Sequence, residues 1–430
     1  MTVSLDEALG RVASPSLSKR VATLAGGLLD LGVEAGDAVA WQSPNREEVD
    51  WLYRACWRLG VTAVPLHHLA GEADVKRMLD ATRPKVVIET LDDLPEGPPV
   101  EQFWPHPSQR AVVLFTSGTS GAPKGVMHSQ GALAFKALQM AGVHELRPDD
   151  CVLMPAPCAH ISGLLNGITL PGVVPFRTVF MARWDPAVAL GLIESERVTF
   201  MVGPPTFFIS MMQQSGFTPE KVASLRLISS GGAGVSAAFV RDAEHAFGAR
   251  VKRTYGSTEA PSVITDGRAI GPVELRVDDN GELLIRGEEV ALGYLDPDAS
   301  GEVFSADGWY RSGDLATIAA DGTVEITGRL KDIVIRGGEN ISTAEVEAVL
   351  ESHPAVVHAV VLGEPDELMG ERVVAYLETT APMDLDAVRA WFAERQVAKF
   401  KTPERVVVVD SIPLLPTGKP DKERLRSFPV

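Results

Sequence analysis

Apolar residues recur at helical spacing over Ser16–Leu31, where Leu17, Val21, Leu24 and Leu28 share a face and Gly32 stops the run. The same spacing over Glu47–Leu59 (Val49, Leu52, Cys56, Leu59), closed by Gly60, predicts a second helix. Short apolar runs at Ala38–Gln42, Val61–Leu66 and Lys85–Glu89 read as strands, with a helix over Asp74–Thr82. Leu91–Gln109 is Pro-rich and polar and reads as a surface connection. Beyond it, strands are predicted at Ala111–Phe115, Cys151–Met154, Thr199–Val202, Leu225–Ser229 and Val251–Thr254, with helices that include Asp185–Glu196 and Ser236–Phe247. Strands alternating with helices imply an α/β fold with a largely parallel sheet. Ligands of such sheets gather at the carboxyl ends of the strands. Four of those ends carry suggestive chemistry: Thr116–Lys124, His160–Gly163, Gly231–Ala233 and Tyr255–Glu259.

From about Glu274 the pattern turns to short, alternating, turn-rich segments of β character. Near Arg329 it changes again. Ile333–Ile335 reads as a strand, and Ser342-Thr343-Ala344-Glu345 is a capping box opening a helix through Leu350. Strands at Val356–Val361, Arg372–Leu377 and Arg405–Val409 and a helix at Leu385–Glu394 complete a compact α+β unit. The expected organisation is a large N-terminal domain, residues 1–328, of mostly parallel sheets with helices and a β-rich subdomain, and a small α+β domain, residues 329–430.

The 430 residues, 45% of them hydrophobic, suffice for two or more domains with a large core. A net charge of −17 argues against a nucleic-acid or anionic-membrane partner. Cys56, Cys151 and Cys158 have no metal-ligand or redox spacing, which points to a reducing, cytoplasmic setting. No signal-peptide core and no membrane-spanning stretch is found.

The chemistry centres on Leu114-Phe115-Thr116-Ser117-Gly118-Thr119-Ser120-Gly121-Ala122-Pro123-Lys124-Gly125-Val126. Small residues let backbone N–H groups approach anionic oxygens, the hydroxyls add donors, and Lys124 adds a positive charge. The stretch is suited to a polyphosphate. It is not a Walker A loop, because Pro123 precedes the lysine and Gly125 follows it. In Tyr255-Gly256-Ser257-Thr258-Glu259, a Tyr can stack on a planar base and a carboxylate can hold Mg²⁺ between phosphate oxygens. Gly231-Gly232-Ala233 brings backbone against a flat ligand or makes a tight strand-to-helix turn. Asp314, in Gly308-Trp309-Tyr310-Arg311-Ser312-Gly313-Asp314, is either a capping acid or a grip on a diol. Gly328-Arg329-Leu330-Lys331-Asp332 and Pro416-Thr417-Gly418-Lys419 would by default be solvated charges.

Taken together and in this order, these motifs closely resemble those of the adenylate-forming enzymes, which include acyl-CoA synthetases, peptide-synthetase adenylation domains and luciferases. The resemblance extends to the opening, Ala55-Cys56-Trp57-Arg58-Leu59-Gly60 and Val64-Pro65-Leu66, and so covers nearly the whole chain. It implies that Thr116, Ser117, Gly118, Thr119, Ser120, Gly121 and Lys124 hold the ATP phosphates. Gly231, Gly232, Ala233, Tyr255 and Gly256 would border the adenine, with Thr258 on a phosphate and Glu259 on magnesium. Asp314 would take the ribose and Arg329 the ribose or a phosphate, Lys419 would be the catalytic lysine, and Lys331 the hinge of a mobile C-terminal domain. Gly337 and Gly338 would meet the pantetheine of coenzyme A, His160 would gate the thiol path, and Gly163 and Pro205 would border the acyl pocket.

The implied reaction joins a carboxylic acid to AMP with Mg²⁺ and ATP, releases pyrophosphate, and transfers the acyl group to coenzyme A. Amino-acid activators of the family carry a Phe-Asp-x-Ser motif, which is missing near His160–Gly163, so an uncharged acyl group is favoured. The apolar residues of Ile161–Leu170 and Pro205–Met212 suggest a pocket suited to a fatty, cyclic or aromatic acid, and would serve equally as core. Lys331–Ser342 lacks the insertion of carrier-specific ligases, which favours coenzyme A. Transfer to a carrier protein or amine is the alternative, and an inactive nucleotide-binding regulator is an alternative of another class. Homodimers are compatible with either, and no integral membrane contact is expected. Relative to the family the opening is trimmed, and Pro261–Glu282 is compressed.

Overall fold

The computed structural model describes residues 3–10, 14–100, 105–116, 123–337, 339–415 and 419–428. The chain forms two compact units. One comprises Met1–Gly232, Val240–Glu274 and Ile285–Tyr310, the other Ala233–Phe239, Leu275–Leu284 and Arg311–Val430.

The first unit holds two mixed sheets. In one, strands β1 (Ala38–Ser43), β2 (Thr62–His67), β3 (Val86–Ile88) and β4 (Arg110–Thr116) are parallel, in the order β4-β2-β1-β3. Strand β5 (Lys124–Ser129) then pairs antiparallel with β4, and a two-residue strand, Gly293–Tyr294, pairs antiparallel with β5. The second sheet contains β6 (Cys151–Met154), β7 (Arg177–Phe180), β8 (Phe200–Gly203), β9 (Leu227–Gly231) and β10 (Arg250–Tyr255), all parallel, in the order β10-β9-β8-β6-β7. Every residue of β6 is buried, as suits a parallel strand covered on both faces.

The helices follow the sequence signals. Ser14 caps the helix Pro15–Asp30 through the Leu17 N–H at 3.3 Å, with Pro15 preset for the first turn. The helix Glu47–Leu59 ends on Gly60 at φ 67°, a left-handed cap that glycine adopts without penalty. Its buried face meets the first sheet through Trp41, Tyr53 and Trp57, whose rings lie 5.0 and 5.1 Å apart in sequence. The strand Lys124–Ser129 and the helix Gln130–Val143 were not legible in the periodicity. That helix is apolar around most of its circumference, so no amphipathic stripe marks it.

A four-stranded sheet, most of it in the second unit, includes Tyr310–Ile318 and Val324–Arg329, paired antiparallel. A five-stranded sheet follows, built on the long antiparallel pair Val356–Asp366 and Gly370–Thr379. The helix Thr343–Glu351 starts on Ser342, whose Oγ accepts from the Glu345 N–H at 3.4 Å. Val346 and Leu350 of that helix share a core with Val361, Val373, Ala375 and Leu377. Among the described residues no helix is long and apolar enough to cross a membrane.

Candidate active site

The site of the first unit is organised around β5. At its first residue, Lys124 is in register with Thr116 of β4, so the Gly/Ser/Thr segment joins the two legs of a hairpin. Ser117, Gly118, Thr119, Ser120 and Gly121 lie outside the described residues, as does Gly338 of the second unit. Lys124 Nζ sits 5.2 Å from the centroid of the Tyr294 ring, on the short strand beside β5. The Tyr294 hydroxyl in turn donates to Glu259 Oε1 at 2.8 Å. Burial, then the Glu259 charge, pushes the Tyr294 hydroxyl well above the ordinary tyrosine range, so it stays protonated and remains a donor.

The backbone around Glu259 is fixed from three sides. The Ala291 N–H donates to Glu259 O at 2.8 Å, and the Ser257 N–H donates to Ala260 O at 3.1 Å. His128, on β5, is fully buried and its Nε2 lies 2.7 Å from Thr258 O. Burial lowers the His128 pKa more than this contact and the Glu259 charge raise it, so the ring is neutral at pH 7. A carbonyl can only accept, so Nε2 carries the proton. At Gly256 an added Cβ would lie 2.2 Å from the Ser262 nitrogen, so only glycine fits this turn.

The turn Gly231–Gly232 is brought beside this loop, because Gly231 pairs with Thr254 in the adjacent parallel strand. A Cβ at Gly231 would meet Thr254 O at 2.2 Å, and Gly232 has φ 76°. Ala233 follows directly and opens the segment that belongs to the second unit.

His160 is the N-cap residue of the short helix Ile161–Leu164, and its ring meets the His67 ring edge to face at 5.3 Å. Burial, then the neighbouring His68, lowers His67 to about 4, so this neighbour is uncharged at pH 7. The turn before His160 is held by Asn45. Its Nδ2 donates to Ala156 O at 2.8 Å, Met154 O at 3.1 Å and Met181 O at 3.2 Å, and its Oδ1 accepts from the Cys158 N–H at 2.7 Å. Gly163 is glycine because a Cβ would lie 2.2 Å from Pro157 O. Pro205 opens the helix Pro205–Met212, where Phe207 stacks on Trp184 at 4.1 Å and Phe208 is buried. Cys158 is a buried filler, and burial pushes its thiol far above the ordinary range.

In the second unit Asp314 is buried, and its Oδ1 lies 2.8 Å from Arg329 Nε, directly across the antiparallel pair. Glu282 anchors the preceding turn, accepting from the Gly313 N–H at 2.9 Å and pairing with Arg311. Lys331 lies exposed in the turn Leu330–Asp332, next to the Asp332–Lys422 ion pair at 2.7 Å. Gly337 has φ 57°, and its N–H donates to Met369 O at 2.8 Å. Lys419 is exposed, and its carbonyl accepts from the Leu415 N–H at 2.7 Å.

Sequence reasoning missed Tyr294, His128, Asn45 and Glu282. Each acts on a partner distant in the chain, 130 residues away for His128 and Thr258, and no local pattern marks such a pairing. Among the described residues no group of three or more His, Cys, Asp or Glu could hold a metal unaided. The first unit thus offers a lysine at the start of β5 linked through Tyr294 to a held carboxylate, and the second offers an aspartate–arginine pair and an exposed lysine.

The AMP-binding enzyme family model matches residues 15–103 and 89–295, and the AMP-binding enzyme C-terminal domain model matches residues 345–419. The chain is 32% identical to the medium-chain fatty-acid–CoA ligase of Escherichia coli, over 96% of this chain and 84% of the relative. It is also 32% identical to feruloyl-CoA synthase of Amycolatopsis, over 95% of this chain and 92% of the relative. The crystal structure of ATP-bound MatB from Rhodopseudomonas palustris superposes with a TM-score of 0.91 at 27% identity, covering 99% of this chain and 98% of that one. From its N-terminal helices to Lys419, the chain belongs to the AMP-binding enzyme family.

Proposed function

We propose that this enzyme is an ATP-dependent acyl-CoA ligase acting on an apolar fatty, cyclic or aromatic acid. The observation that carries the reading is the linked set Lys124, Tyr294 and Glu259 at the end of the β4–β5 hairpin. The fatty-acid and feruloyl ligases among the relatives support both the class of acid and the thiol acceptor.

In the first step a carboxylate oxygen bonds to the α-phosphorus as the bond to pyrophosphate breaks. Thr116 and the segment through Lys124 hold the departing phosphates, Tyr255 stacks on the adenine, and Asp314 with Arg329 takes the ribose. Lys419 supplies the cation that offsets two approaching negative groups, which is worth most where charge builds in the transition state. Glu259 fits a magnesium ion, since it is a buried carboxylate with one oxygen fixed by Tyr294, and such ions take one or two carboxylates plus phosphate oxygens. When bound, the ion draws charge off the phosphates.

In the second step residues 329–430 turn about Lys331, Gly337 and Gly338 face the pantetheine, and His160 gates the thiol path. The thiol sulfur bonds to the acyl carbon, the bond to AMP breaks, and the thiol proton is released. AMP leaves readily, so this step needs positioning more than acid–base power.

The test is pyrophosphate release with Mg·ATP across fatty, cyclic and aromatic acids, each with and without coenzyme A. Release raised by coenzyme A, with acyl-CoA formed, is the expected result. Release indifferent to coenzyme A would move the acceptor to a carrier or an amine, and no release with any acid would overturn the reading.

A further inference from the structure

Lys136 is a fully buried ammonium that the reaction above does not use. It lies on the helix Gln130–Val143, which begins directly after β5. Its Nζ lies 3.0 Å from Glu289 Oε1 and donates to Ser262 O at 3.1 Å and to Gln139 Oε1. The three protons of the ammonium thus have three acceptors. Glu289 is equally buried, and its second oxygen has no hydrogen-bond partner. Such a pair is a weak source of stability, because removing two charges from water costs about what their attraction returns. Selecting one arrangement of the chain is the better-attested use of such a pair.

The two segments it joins are the two that grip Glu259. Ser262 lies three residues beyond Glu259 and is held at φ 49°, in the left-handed region that a serine seldom adopts. Its segment closes back on the loop through the Val263 N–H to Tyr255 O at 2.9 Å. Glu289 lies two residues before Ala291, whose N–H holds Glu259 O, and five before Tyr294, whose hydroxyl holds Glu259 Oε1. Gln139, on the next turn of the helix, extends the network by donating to Gly271 O at 2.7 Å.

We infer that Lys136 and Glu289 form an internal latch that fixes the position of Glu259, and that both are positioning residues for adenylate formation. The inference rests on the reading that Glu259 serves that half-reaction.

Lys136→Met strands a buried carboxylate and risks misfolding, so the uncharged pair Lys136→Met/Glu289→Leu carries the test in the full-length protein. Three readouts are compared with wild type: pyrophosphate release against magnesium concentration, thioester formation from supplied acyl-adenylate, and amide exchange over residues 255–263 without ligands. The latch predicts that pyrophosphate release falls about tenfold or more, as for a lost hydrogen bond to a charged group. It also predicts a higher magnesium requirement and faster exchange in that segment, with thioester formation kept within about threefold, which on the same scale is under 1 kcal/mol. A folded double variant with wild-type pyrophosphate release would overturn the latch, and so would a double variant that does not fold, since the pair would then be structural. Glu259→Gln separates the two readings: if it leaves pyrophosphate release intact, the assignment of Glu259 fails whatever the double variant does.

Discussion

Replacing Tyr294 with Phe removes one oxygen atom and little else. The ring keeps its edge contact with Phe304 at 5.5 Å and its place under Lys124. What goes is the hydrogen bond to Glu259 Oε1, made where both side chains are at least nine-tenths buried. A buried bond to an ionised group contributes about 1.5–3 kcal/mol, and leaving the acceptor without a donor costs its desolvation. At 1.4 kcal/mol per decade this corresponds to about 10- to 150-fold in an equilibrium or a rate. The carboxylate then loses the contact that fixes one of its oxygens. The assay is single-turnover pyrophosphate release over a magnesium titration, with thermal unfolding measured in parallel. Release is expected to fall within that range while thioester formation from supplied acyl-adenylate is unchanged. A folded Tyr294→Phe enzyme that releases pyrophosphate at the wild-type rate at every magnesium concentration would refute the claim that this contact holds Glu259 in its working position.

Gly256→Ala places a Cβ 2.2 Å from a backbone nitrogen, so pyrophosphate release is expected to be lost, by a hundredfold or more on the scale of about 3 kcal/mol of strain; wild-type release would show that the loop relaxes. Lys419→Ala is expected to abolish adenylate formation while sparing thioester formation from supplied acyl-adenylate, and equal loss of both would remove the assigned role. Lys331→Pro is expected to do the reverse, because its fixed φ restricts rotation; acyl-CoA formation at the wild-type rate would move the hinge elsewhere. In the helix Thr343–Glu351, burial pushes the Glu347 carboxyl up to about 7, against the bond from the Val361 N–H at 2.8 Å. The folded chain therefore binds this proton more tightly than the unfolded chain. Its stabilisation is full below about pH 4.5 and is lost as pH rises through about 7, by at most about 3 kcal/mol. Asp6, raised to about 6, contributes in the same direction, so the readout is the difference between wild type and Glu347→Gln in unfolding at pH 5 and pH 8. Parallel pH profiles for the two would dismiss Glu347 as the source.

What the sequence reveals here is local, and what it conceals is long-range. The helix Glu47–Leu59 was readable because four apolar positions and a terminal glycine specify it within one stretch. Ser342 announced its helix in the same way. The residues from Lys124 to Ser129 did not read as a strand, because their alternation is broken by Gly125 and their burial depends on β4 on one side and Tyr294 on the other. Tyr255, Thr258 and Glu259 were singled out by the likeness of their pentapeptide to a family signature. The groups that contact Thr258 and Glu259 were not, since His128 and Tyr294 stand 130 and 35 residues away and are ordinary members of their own strands. Gly163 was placed at the acyl pocket with its apolar neighbours, yet the close approach of Pro157 already accounts for a glycine there.

The burial of the three native thiols opens an experimental route to the motion proposed at Lys331. Cys56, Cys151 and Cys158 are all enclosed, and burial raises each thiol above its ordinary range. Thiolates are the reactive form, so maleimide dyes will pass them by in the folded protein. Asp242 in the first unit and Glu394 in the second are exposed, and a cysteine at each gives two addressable positions with no native cysteine removed. Energy transfer between dyes at those positions would follow the proposed movement of residues 329–430 through a catalytic cycle, in an enzyme whose interior is otherwise untouched.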